Sequence, residues 1–128
     1  MPCHDQQRSA TRGVWSNDST STAVFVPFLQ IPRNDFDEVR PSFLLGVDTG
    51  AVVECGYRTS QDGITWGSVT AFGPSATSTA GWSFGTAYVT PTAAARHVQF
   101  GISCKNDTGT SGVRSAQVTL QLDLRAED

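Results

Sequence analysis

The feature that most restricts this chain is the strict alternation of apolar and polar residues in its closing segments. Val98, Phe100, Ile102 and Cys104 alternate with His97, Gln99, Ser103 and Lys105. Val118, Leu120, Leu122 and Leu124 alternate with Gln117, Thr119, Gln121 and Asp123. A period of two puts one set of side chains on each face of a strand, a sorting no helix can achieve. Such strands bury one face and wet the other, so they need a second apolar sheet to pack against.

The same pattern recurs upstream. Pro41 to Val47 carries Phe43, Leu45 and Val47 on one face. Ala51 to Thr59 carries Val53, Cys55 and Tyr57 inward, against Val52, Glu54, Gly56 and Arg58. With Asp48, Thr49 and Gly50 between them, these two segments read as a hairpin. Val14 and Trp15 begin a short first strand, and Val113 to Leu124 closes the chain. Ile64 to Phe72 is predicted as a strand with Ile64 and Trp66 inward. Trp82 to Val89 is another, with Trp82, Phe84, Thr86 and Tyr88 on one face. Thr22 to Ile31 is apolar on both faces, which predicts burial on both sides or cover by another chain. Val24, Phe25, Val26 and Phe28 are therefore interface candidates. Pro27 lacks an amide hydrogen and belongs at an edge or a bulge.

Arg33 to Arg40 and Thr92 to Arg96 hold one helical turn at most. The 18 glycines and prolines and 28 threonines and serines suit short strands and turns. The expectation is an all-β fold of about eight strands. Two antiparallel sheets pack as a β-sandwich with jelly-roll or Greek-key connections, an immunoglobulin-like sandwich being the nearest rival. The length of 128 residues suits one domain. That domain is expected over 13–126, preceded by a polar, flexible arm over 1–12, either disordered or ordered against a neighbouring subunit.

Composition narrows the function classes. Nine basic and 12 acidic residues give a formal charge of −3, which argues against a broad positive face for nucleic acid. No apolar run is long enough to span a membrane. Met1 to Gly13 lacks the apolar segment of a signal peptide. His4 and His97 have no metal-ligand partner spacing, and no EF-hand pattern surrounds Asp35, Asp37 and Glu38. Ser103 has no nucleophile-elbow setting, and Glu54 has no identifiable acid partner. No enzyme activity, cofactor or metal is expected. Of Cys3, Cys55 and Cys104, at least one is unpaired within a monomer. Cys55 and Cys104 either bridge the two sheets or remain buried thiols, the reading favoured without a signal peptide.

Ser60-Gln61-Asp62-Gly63-Ile64-Thr65-Trp66 is the most distinctive local motif. Asp62 can cap the turn, Gly63 can take positive φ, and Trp66 can anchor a hairpin. The motif resembles the Asp-box hairpin of sialidases and other β proteins, with one residue fewer between aspartate and glycine. Its Asp-Gly-x-Thr-Trp core is also similar to a feature of β-sandwich modules in phage tail and virion proteins. That resemblance implies a structural, virion-located subunit (head decoration, neck or tail) that forms homo-oligomers or contacts other virion proteins. The alternative is a carbohydrate-binding module or adhesin, cytoplasmic or extracellular. There Trp82 and Tyr88 would stack on a glycan beside Arg96, Asn106 and Asp107 on a loop rim. Whether Trp82 and Tyr88 are buried or exposed beside a concave site separates the two.

Overall fold

The alternating segments become strands that pair in a nested order. The computed structural model describes residues 4–18, 22–46, 50–77, 81–85, 87–106 and 112–126. The strands are β1 (His4–Trp15), β2 (Val24–Pro32), β3 (Glu38–Leu45), β4 (Ala51–Ser60), β5 (Thr70–Thr77), β6 (Gly81–Phe84), β7 (His97–Asn106) and β8 (Ser115–Ala126). A single 3-10 turn, Arg33–Asp35, follows β2. One sheet has the order β1-β8-β3-β6 and the other β2-β7-β4-β5, with every pairing antiparallel. The chain is thus a two-sheet antiparallel β-sandwich. First pairs with last, second with seventh, third with sixth and fourth with fifth.

The core lies between the sheets. Val118, Leu120, Leu122 and Leu124 from β8 meet Val98, Phe100, Ile102 and Cys104 from β7, all buried. Phe36, beyond the 3-10 turn, closes one end against Phe100 at 5.8 Å between ring centroids. Pro27 lies on the edge strand β2 at a register break between Pro27 and Leu29, where its missing amide costs no ladder bond.

Several expectations need correction. Residues 4–12, expected as an arm, form most of β1, which pairs with β8 along its whole length. The expected domain boundary at residue 13 falls inside this strand. An edge strand needs few apolar residues: Val14 is buried and Ala10 packs on the core, while the backbone ladder and a 2.8 Å Thr11–Thr119 hydroxyl bond supply the rest. The hairpin expected from Pro41 to Thr59 is not one, because β3 and β4 lie in opposite sheets. Alternation assigns a face and leaves the pairing partner open.

The strand expected at Ile64 begins only at Thr70, and Ile64 is 82% exposed. Asp62 takes up the amides of Ile64 and Thr65, which a strand there would need for its ladder. β5 instead runs past Phe72, the expected end of the strand, as far as Thr77. The strand expected over Trp82 to Val89 stops at Phe84. Val89 returns to exchange two backbone bonds with Val39, and Thr86 lies outside the described residues.

Cys55 and Cys104 occupy neighbouring strands of one sheet, so they bridge nothing between sheets. Cys104 faces Val53 and Cys55 faces Ile102, a diagonal relation about 7–8 Å apart, beyond ordinary disulfide reach. Both are buried free thiols. Burial, helped by the charge of Glu54, pushes the Cys55 thiol far up, and burial pushes Cys104 to about 11. Neither is expected to react with a thiol reagent at pH 8 in the native state. Counting reactive thiols before and after unfolding should show a gain of two.

Candidate functional site

The Asp62 turn joins β4 to β5. Asp62 Oδ1 accepts the amides of Ile64 and Thr65 at 2.8 Å each, and the Ser60 hydroxyl at 2.9 Å. Ser60 Oγ in turn accepts the Gly63 amide at 2.9 Å. Gly63 has φ +77°, which leaves it free of Cβ strain. The amides of Thr65 and Ile64 and the Ser60 hydroxyl hold the Asp62 carboxyl well below the usual carboxylate range. A lowered folded value stabilises the turn above the unfolded value, and that stabilisation is lost as pH falls through the folded one. Hydrogen-exchange protection of Ile64 and Thr65 should therefore stay level from pH 7 to 4, after correction for intrinsic rates. It should fall only at more acid pH, and be absent at all pH values in Asp62→Ala.

Trp66 does not anchor the turn from inside. It lies half-buried on the outer face of the second sheet, where the Arg58 guanidinium stands 5.4 Å from its ring and 5.1 Å from that of Phe25. Arg58 Nε is held by Gln99 Oε1 at 2.7 Å. Of the interface candidates, Val26 and Phe28 point inward and belong to the chain's own core. Val24 packs partly on that core, and Phe25 lies outward on its own sheet. The double apolar face of β2 thus follows from burial on one side and cover by Arg58 on the other.

The outer face of the first sheet carries the exposed aromatics. Trp82 stands opposite Leu44, and Phe84 opposite Ser42. Their rings stack at 5.8 Å and 15°, yet Trp82 remains 47% exposed and Phe84 67%. Alternation alone suits a core strand as well as this one. β6 is an edge strand, however, and both side chains point away from the opposing sheet.

Tyr88 is elsewhere. Its half-buried ring is wedged between Arg125, at 3.9 Å, and Arg40, at 4.9 Å. These arginines pair with Glu38 at 3.5 Å and Asp123 at 3.2 Å. Arg40 and Leu44 are four residues apart on β3, about 13 Å along the strand, so Tyr88 and Trp82 do not share one platform.

The expected binding rim divides between the two ends of the sandwich. Asn106 is buried, and its Nδ2 donates to Gly112 O at 2.7 Å, so it braces a loop. Asp107 lies outside the described residues. At the opposite end Arg96 rims a cavity of about 520 Å³ together with Arg33, Asn34, Asp37, Ala93 and Ala95. Sequence reasoning passed over Arg33, because a lone arginine after Pro32 carries no pattern. Among the described residues no group of three or more His, Cys, Asp and Glu could hold a metal ion, and no helix is long and apolar enough to cross a membrane.

Solved structures with a similar fold include chains of viral particles. A chain of infectious bursal disease virus, Gx strain, superposes with a TM-score of 0.59 at 9% identity, over 97% of this chain and 33% of that one. A chain of the VP2 subviral particle of the same virus gives 0.57 at 8% identity, over 95% and 32%. The chain therefore spans about a third of the length of these chains. The SPBc2 prophage-derived protein YomS matches over 96% of both chains at 10% identity, with a TM-score of 0.43 that carries no argument. What is shared at such identities is the fold. No protein family and no curated protein matches the sequence.

Proposed function

We propose that this chain is a non-enzymatic assembly subunit of a viral or phage particle, in a head-decoration, neck or tail position. Its work is contact with copies of itself or with other particle proteins. The observation that carries this reading is the stacked Trp82–Phe84 pair, exposed on the four-residue edge strand β6. Together the two rings leave on the order of 250 Å² of apolar surface in water, at a cost on the order of 6 kcal/mol. A partner surface relieves that cost. So short a strand offers little backbone for sheet extension, so side chains would carry the contact. We read the nested strand order as a jelly roll, an architecture used by capsid domains. The likeness to particle proteins supports the role by analogy of fold.

The test is light scattering coupled to size exclusion, with and without reductant, on the wild type and on Trp82→Ser/Phe84→Ser. A discrete oligomer that survives reductant and dissociates in the variant is the expected result. A wild type that is monomeric at every concentration, and whose binding to isolated particles ignores the variant, would sink the proposal.

A second reading rests on the same exposed tryptophan, which a carbohydrate-binding module or adhesin requires. Tyr88 gives it no support, being wedged between two arginines. A glycan screen in which a monomer binds and Trp82→Ser does not would favour it.

A further inference from the structure

We propose that the cavity beside the Arg33–Asp35 turn is a carboxylate-binding pocket that takes an acidic side chain of a partner protein. Arg33 is only 9% exposed, an unusual place for a permanent charge. Its Nε donates to Pro91 O at 3.1 Å and Thr92 O at 3.2 Å, its Nη2 to Pro91 O at 2.8 Å, and its Nη1 to Phe36 O at 2.6 Å. Every acceptor is a neutral carbonyl. A guanidinium has five N–H groups, so with one engaged on each nitrogen two donors remain. The Phe36 ring, 5.1 Å away, adds attraction without adding negative charge.

Arg96, an exposed residue, lines the same cavity and supplies a second positive charge beside it. Among the described residues neither arginine forms an ion pair. Their backbones are tied together: Arg33 N donates to Arg96 O at 2.9 Å, and Arg96 N to Ser60 O at 3.1 Å. The Arg33 guanidinium is thus fixed at the cavity before any ligand arrives, which lowers the ordering cost of binding. Asn34 lines the same cavity and can add an amide donor. Asp37 lines it too, and its charge disfavours a doubly charged phosphate more than a singly charged carboxylate. A planar carboxylate also matches the fork of an arginine.

The inference rests on the assembly reading only for the source of the acid. The experiment titrates the full chain with acetyl-Gly-Glu-Gly-amide, acetyl-Gly-Gln-Gly-amide or inorganic phosphate. It follows the Arg33 Nε–H and the amides of Asn34, Ala95 and Arg96 by nitrogen-15 NMR. Saturable millimolar shifts confined to these groups are expected for the glutamate peptide and none for the glutamine peptide. Arg96→Gln, an exposed change, should weaken binding about tenfold with the rest of the spectrum unchanged. Equal shifts from both peptides, binding indifferent to Arg96→Gln, or phosphate binding tighter than the glutamate peptide would each overturn the assignment. A monomeric chain that still binds the glutamate peptide loses only the assembly reading. An oligomer whose pocket ignores that peptide loses only this inference.

Discussion

Replacing Gly101 by alanine should destabilise the fold by about 3 kcal/mol, lowering Tm by about 12 °C. Gly101 sits in β7 between Pro27 of β2 and Gly56 of β4. A Cβ there would stand 2.2 Å from Val26 O and 2.9 Å from Pro27 Cα. Both are backbone atoms at the β2 bulge, and they cannot retreat without opening the β2–β7 ladder. The Phe25 ring, 2.8 Å from the same Cβ, closes the remaining direction. The matched control is Gly13→Ala, where a Cβ meets nothing within 4 Å. That change should stay within about 0.5 kcal/mol. Thermal unfolding of the two variants side by side decides the matter. A Gly101→Ala protein that melts with the control would mean the bulge flattens at little cost.

Arg33→Met should cost about 3 kcal/mol, because it leaves the carbonyls of Pro91, Thr92 and Phe36 without their charged donor. Replacing a whole buried ion pair by apolar groups is often neutral, since both costly charges leave together. Here the acceptors are backbone and stay behind. Arg33→Lys should recover only part of the loss, because an ammonium cannot fork to carbonyls on two segments. Urea midpoints measure the loss, and hydrogen exchange at Ala94, Ala95 and Arg96 localises it to the segment before β7. Wild-type stability in Arg33→Met would mean that water satisfies those carbonyls and that the guanidinium ties nothing together.

What was legible in the sequence depended on how local its cause is. The inward set of β7 and β8 was readable because alternation is a property of the strand itself. The Asp62 turn was readable because an aspartate capping the next two amides is settled within a few residues. Only the Val14–Trp15 end of β1 was legible, because residues 4–12 carry too few apolar side chains to mark a strand, although β1 pairs over its whole length. The exposure of Trp82 was not legible, because its alternation with Phe84 has the same form on an edge strand facing water as on a central one facing a core. The binding rim was assembled from residues close in loop composition but distant in space. Asn106 braces one end of the sandwich while Arg96 rims a cavity at the other.

Residue order alone dictates strands with one apolar face, because a period of two admits no other burial. It also determined that Pro27 must sit at an edge or a bulge, because a missing amide cannot serve a central strand. Which strand lies beside which emerges only in the folded chain. Pairings such as Thr11 with Thr119 join residues 108 positions apart, and hydrogen bonds between backbones carry no side-chain code for their partner. The tertiary structure likewise decided that Trp82 and Phe84 face water and that Arg33 is buried with its donors on backbone carbonyls. Exposure depends on what the other sheet and the connecting loops cover, and that is settled only when the whole sandwich has closed.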